Sequence, residues 1–292
     1  MRVKLVLLMG LGAGFLFAAT DAWASPFERI ANVTSSVNVI GGNAKGGTFA
    51  QCPAGTQLVG GGGFFNPPTT NMAIVRSVPN PGANGWEIIG RNWSGTARDL
   101  FATAQCGIPK PGGGFASTIT EVSSGSFVGN NAQDLEEVGC PAGTQLLSGG
   151  GFWEDPNRAR VGFVENDARG QWAVIGRNWS GSGLKVFAVS LCGQPGANGG
   201  FSEIFNVSSA IPGIADFVAP GQAKISQFFC PNAQVISTGG AWLADSSELG
   251  SGHGVALTGF TSIPSSSPEF IASGGNMSNA FLEMVARGRC GT

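Results

Sequence analysis

The chain predicts an all-β fold of three homologous, disulfide-closed repeats, and three observations lead there. First, one motif recurs. Cys52-Pro53-Ala54-Gly55-Thr56-Gln57-Leu58 runs into Gly60-Gly61-Gly62-Gly63-Phe64, and Cys140-Pro141-Ala142-Gly143-Thr144-Gln145-Leu146 runs into Ser148-Gly149-Gly150-Gly151-Phe152. Cys230-Pro231-Asn232 runs more loosely into Thr238-Gly239-Gly240-Ala241-Trp242. A fixed period marks a repeat architecture. Second, stretches such as 171–179 and 184–192 alternate apolar and polar residues and are bounded by Gly, Asn and Ser, the signature of short strands. Third, no segment carries a sustained 3.6-residue apolar stripe with helix caps.

Taken in order, residues 1–24 read as a signal peptide. Arg2 and Lys4 precede an apolar run over 5–18, and Ala22-Trp23-Ala24 offers a small-x-small cleavage site before Ser25. The run is short for a membrane span, which takes roughly 20 residues. The expected product is exported, secreted to an extracellular or periplasmic space, with no membrane span. Three repeats follow, over 25–112, 113–199 and 200–292. Their joints, Pro109-Lys110-Pro111-Gly112-Gly113-Gly114 and Gln194-Pro195-Gly196-Ala197-Asn198-Gly199-Gly200, are Pro/Gly runs, each leading into a phenylalanine, Phe115 or Phe201. The alternation yields about six candidate strands per repeat. Two arrangements fit: tandem β-sandwich modules, or one β-prism-like body. Units of this size bury a core of their own only marginally, and the short joints favour close packing of neighbours.

Composition narrows the function classes. With 48 Gly and 16 Pro the chain invites a disorder reading, but 42% hydrophobic content with 20 Phe and 7 Trp supplies ample core. The net charge of −2 becomes one unit more negative once Arg2, Lys4 and Asp21 leave with the leader. Charges are scattered, with no basic stripe for nucleic acid and no polybasic segment for anionic lipid. Six cysteines in an exported chain point to disulfides. The repeat selects Cys52–Cys106, Cys140–Cys192 and Cys230–Cys290, each closing one copy. A loop of ~50 residues corresponds to roughly 4 kcal/mol in the chain-entropy view. A single histidine and the lack of any Cys-x-x-Cys argue against a metal site, and no cofactor is expected. The Gly-rich motif lacks the Lys-Ser/Thr of a phosphate-binding loop. A bulge or a close backbone approach explains its glycines instead.

The strand Trp86-Glu87-Ile88-Ile89-Gly90-Arg91-Asn92-Trp93 matches 172–179 closely, and 270–277 more distantly. Alternation gives it two faces. Trp86, Ile88, Gly90 and Asn92, with Trp172, Val174, Gly176 and Asn178, form the core face, the asparagines bonding backbone at the strand end. The Asn-x-Ser patterns at Asn92, Asn178 and Asn276 are therefore incidental unless the source is eukaryotic. The opposite face carries Arg91 and Trp93, then Arg177 and Trp179, replaced by Gly275 and Met277 in the third copy. A cation beside an indole can stack. This face is either a packed contact between repeats or an exposed aromatic platform, and these four residues are the ligand-binding candidates. For catalysis, His253 with Asp245 and Glu248 nearby would have to serve a triad, yet no Gly-x-Ser-x-Gly elbow exists. Glu154, Asp155, Glu165 and Asp167 could supply a carboxylate pair but occur only in copy two, with Arg158 and Arg160 nearby as salt-bridge partners. No catalytic residue is assigned.

The Cys-Pro-Ala-Gly-Thr-Gln-Leu…Gly-Gly-Gly-Phe…Trp…Asn…Cys arrangement resembles a module of exported bacterial proteins, often of unassigned function. The resemblance covers most of the first two repeats and implies an extracellular β-rich module. The expected function is non-catalytic binding of glycan or a cell surface through repeated shallow aromatic sites, since linked weak sites gain avidity. The alternatives are a structural coat or matrix protein without small ligand, and a secreted hydrolase or lyase.

Overall fold

The structure is a computed structural model that describes residues 25–156, 162–166, 170–178, 180–208, 217–219, 222–230, 233–243, 255–263, 269–276 and 282–292. Apart from one 3₁₀ turn at Pro81–Ala83, its regular elements are all strands. Copy one contributes β1 (Phe27–Thr34), β2 (Asn38–Ile40), β3 (Lys45–Gln51), β4 (Gln57–Asn66), β5 (Met72–Asn80), β6 (Gly85–Asn92) and β7 (Arg98–Pro109). In copy two follow β8 (Phe115–Val122), β9 (Ser126–Val128), β10 (Gln133–Gly139), β11 (Gln145–Trp153), β12 (Gly162–Asn166), β13 (Gln171–Arg177) and β14 (Leu184–Pro195). Copy three holds β15 (Ile204–Ser208), β16 (Phe217–Val218), β17 (Ala223–Phe229), β18 (Gln234–Leu243), β19 (Val255–Ile263), β20 (Glu269–Asn276) and β21 (Leu282–Gly291). Each copy thus has one strand more than its periodicity shows. The additions are β2, β9 and β16, too short to display an alternation.

No copy keeps a sheet to itself. The three seven-stranded sheets run β1-β7-β4-β19-β20-β17 with β2 on β7, β3-β6-β5-β11-β14-β8 with β9 on β14, and β10-β13-β12-β18-β21-β15 with β16 on β21. Each sheet takes strands from two copies, and the sharing closes in a cycle. The seams are β5–β11, β12–β18 and β19–β4. Strands β4, β11 and β18 also pack against one another. Each carries a bulge, between Leu58 and Gly60, Leu146 and Ser148, and Val235 and Ser237. The residues that the bulges set apart, Val59, Leu147 and Ile236, are fully buried in one apolar cluster.

The glycine run is there because large groups lie against it. A Cβ on Gly61 would stand 2.6 Å from Cε3 of Trp86 and closer still to Cγ and Cδ2; Gly149 meets Trp172 in the same way. A Cβ on Gly150 would run into the backbone of Ser77, on the strand that copy one presents across the seam. Both readings of the motif hold: a bulge, and a close approach.

The first phenylalanine of each copy meets the other two. Phe27, Phe115 and Phe201 form a triad with centroids 5.5–5.9 Å apart and rings tilted 48–53°. The motif glutamines clamp it. Gln57 Nε2 donates to the Phe115 carbonyl at 2.7 Å while its Oε1 accepts the Phe115 amide at 2.9 Å. Gln145 repeats both bonds on Phe201 at the same distances. Gln234 Oε1 accepts from Ser25 Oγ at 2.7 Å, and that hydroxyl accepts the Phe27 amide at 3.2 Å. Each copy thus holds the start of the next, and the third holds the first. Disulfides join Cys52–Cys106, Cys140–Cys192 and Cys230–Cys290, the pairs expected from the repeat. They suit an oxidising, extracellular compartment. No helix among the described residues is long and apolar enough to cross a membrane.

Candidate functional site

The strands that carry the predicted site, β6 and β13, are fixed from their inner faces. Trp86 and Ile88 are fully buried, and Trp86 Nε1 donates to Ser77 Oγ at 2.9 Å. Gly90 lies under the Phe65 ring and Gly176 under the Trp153 ring. The strands end on buried asparagines. Asn92 Nδ2 donates to the carbonyls of Ile40, Gly41 and Thr96 at 3.1, 3.2 and 2.7 Å, while its Oδ1 accepts the Ser94 amide at 2.9 Å. Asn178 Nδ2 donates to Val128 and Ser182 at 2.8 and 2.6 Å, and its Oδ1 accepts the Ser180 amide at 2.8 Å. Both asparagines are inaccessible to a glycosylating enzyme in the folded chain.

The opposite face positions Arg91 and Trp93. Arg91 is half-buried and stands across from Lys45 on β3 and Ala73 on β5. Trp93 lies just past the end of β6, half-buried, its amide donating to the Asn71 carbonyl at 2.8 Å. The equivalent arginine behaves differently: Arg177 is only 7% exposed, and desolvation pushes its pKa down. Gln133 stands where copy one has Lys45. Trp179 lies outside the described residues, as do His253, Asp245, Glu248, Arg158, Arg160 and Asp167. Glu165 sits on β12. Glu154 is exposed and accepts the Lys185 amide through Oε1 at 2.9 Å, a strand-end cap; Asp155 beside it is half-buried.

Sequence reasoning missed the cation–ring pair that is present. The Arg76 guanidinium lies 4.8 Å from the Phe152 ring centroid, and its Nε stands 3.1 Å from Glu87 Oε2. Phe152 stacks in turn on Phe187, at 4.8 Å and 11°. These residues belong to two copies and meet only because β5 pairs with β11, placing Arg76 directly across from Phe152. Phe64 and Phe101 form the matching ring pair on another sheet, at 5.1 Å and 19°.

Register therefore assembles one continuous surface on the β3-β6-β5-β11-β14 face turned away from the core. Among its side chains are Lys45, Phe49, Arg91, Arg76, Phe152 and Phe187, with Glu87 beside Arg76. Gly47, across from Ile89, leaves a side-chain-free floor beside the edge. Other exposed apolar side chains sit on bordering strands: Val39 on β2, Ile119 and Val122 on β8, Phe127 on β9, Leu135 on β10, and Ile225 and Phe229 on β17. No family model matches the chain, and no curated protein matches it.

Proposed function

We propose that the chain is an exported, non-catalytic binding protein that holds glycan or a cell-surface ligand on shallow faces of a rigid three-sheet frame. The observation that carries this reading is the surface above: three cations (Lys45, Arg91 and Arg76) and three phenylalanines in register on one sheet face, with Trp93 at the strand end. Aromatic rings accept the C–H face of a sugar, and guanidinium forks match carboxylate or phosphate groups bidentately. The cation excess favours acidic glycans over neutral ones. Arg177, only 7% exposed, does not extend this surface to the second copy. The test is retention on an array of acidic and neutral glycans, repeated with cell-wall material. Lys45→Ala with Arg91→Ala and Trp93→Ala should lose the acidic-glycan signal while circular dichroism and melting are kept. Equal retention by this variant, or no retention of the parent on any surface, would sink the reading.

A second reading, a coat or matrix component, is favoured by one observation: apolar side chains are exposed on bordering strands in all three copies, with Phe127 at 66% exposure. Unpaired edges template further pairing. Sedimentation should then show reversible association that Phe127→Lys abolishes. A monodisperse monomer at high concentration rejects it.

A further inference from the structure

The residue before each second cysteine occupies an equivalent place in register. Gln105 stands across from Gly60, Leu191 across from Ser148, and Arg289 across from Ser237. In copy one this place abuts the backbone of Ile236 from copy three, so it lies at the contact between copies. The fold accepts an amide, an alkyl chain or a cation here and does not itself require the charge.

Arg289 is nevertheless a buried cation, 7% exposed. Among the described residues its Nε and Nη1 have no hydrogen-bond partner, and neither has the fully buried Ser237 Oγ across from it. Desolvation pushes the guanidinium pKa down to about 10, which still leaves it charged at neutral pH. The Arg76–Glu87 ion pair lies far from this place in sequence and sheet. On its other side Arg289 faces Asn206, neutral and exposed. A buried guanidinium without a counter-charge is among the costliest groups a protein can hold. Ser148 in copy two also has an unpaired Oγ, but it faces Leu191, so the cation is what sets copy three apart.

We propose that Arg289 and Ser237 bind a small monovalent anion of halide size on the buried sheet face that these two facing residues of β18 and β21 share. One guanidinium neutralises one negative charge, so a monovalent ion leaves the site neutral, whereas a dianion leaves a buried negative charge. The Ser237 hydroxyl donates to the ion alongside Nε or Nη1, and the exposed Asn206 side gives the route of entry.

The test uses the full mature chain. Melting is followed in sodium chloride against sodium methanesulfonate at equal ionic strength. An anion that binds only the folded state raises the melting temperature by roughly 5–10 °C at a hundredfold excess over its Kd. The parent should show this chloride-specific rise, and Arg289→Gln and Arg289→Leu, the residues of the other two copies, should lose it. Crystals of the parent grown in bromide should give an anomalous peak within hydrogen-bonding distance of Arg289. The crystallographic arm stands even if a variant does not fold. An equal chloride response in parent and variants, or no bromide at Arg289, overturns the proposal.

Discussion

Gly61→Ala isolates what the glycine motif does. The added Cβ would sit within 2.6 Å of three Trp86 ring atoms. Ordinary carbon–carbon contact begins near 3.5 Å, so something must move by about 1 Å. Trp86 is fully buried and tethered by its 2.9 Å bond to Ser77 Oγ, and the strand beneath Gly61 is held on both sides by β7 and the seam. Overpacking of this kind costs about 1–3 kcal/mol. A 1 Å shift of the indole also stretches the Nε1 bond past useful length, adding about 1 kcal/mol. The expected loss is ~2–4 kcal/mol, or roughly 5–15 °C in melting for a chain of this size. Urea unfolding with the disulfides intact measures it. The third copy supplies the control. At the register positions of Gly61 and Trp86 it carries Thr238 and Phe270. Trp86→Phe should therefore recover part of the loss, with a coupling energy of about 1 kcal/mol or more. A Gly61→Ala cost under about 0.5 kcal/mol, or strict additivity of the two changes, refutes the reasoning.

Two further outcomes follow from side chains that hold backbone. Gln145→Leu removes both bonds to Phe201 and leaves a buried amide and carbonyl unmet; it should cost about 2–4 kcal/mol and speed hydrogen exchange at the Phe201 amide ahead of strand amides. Asn178→Ala unties three backbone groups at the end of β13, with an expected loss of about 2–4 kcal/mol by urea titration.

What could be read from the chain beforehand depended on whether cause and effect lay within one copy. The core face of β6 and β13, the strand-end asparagines and the cysteine pairs were all legible, because local alternation and the internal repeat encode them. Gln57, Gln145 and Gln234 were visible as motif letters, yet their role was hidden. Each clamps a phenylalanine at the start of the next copy, 56–58 positions away for the first two. The Arg76–Phe152 contact was hidden for the same reason: its two residues come together only through the β5–β11 seam, and no periodicity of either strand names the partner. Arg91 and Arg177 show a third limit. Identical letters in matching strands end up half-buried and nearly sealed, because burial depends on what covers a side chain from outside its own strand.

The three copies amount to three solutions of one packing problem, and their differences can be sorted by cost. Exchanges between neutral residues, such as Thr238 and Phe270 at the register positions of Gly61 and Trp86, place no charge in the interior. Arg289 is not of that kind. Gln105 and Leu191 show that its place tolerates groups far cheaper to bury, so a cation there has to be offset by something outside the packing. The same logic applies to the basic, aromatic face of the β3-β6-β5-β11-β14 sheet. On the matching face of β10 copy two presents Gln133, Leu135 and Glu137 where copy one presents Lys45, Gly47 and Phe49 on β3, although the two strands have the same length and the same partner pattern. Backbone geometry constrains these edges equally, so what distinguishes them is the charge each offers to whatever meets it.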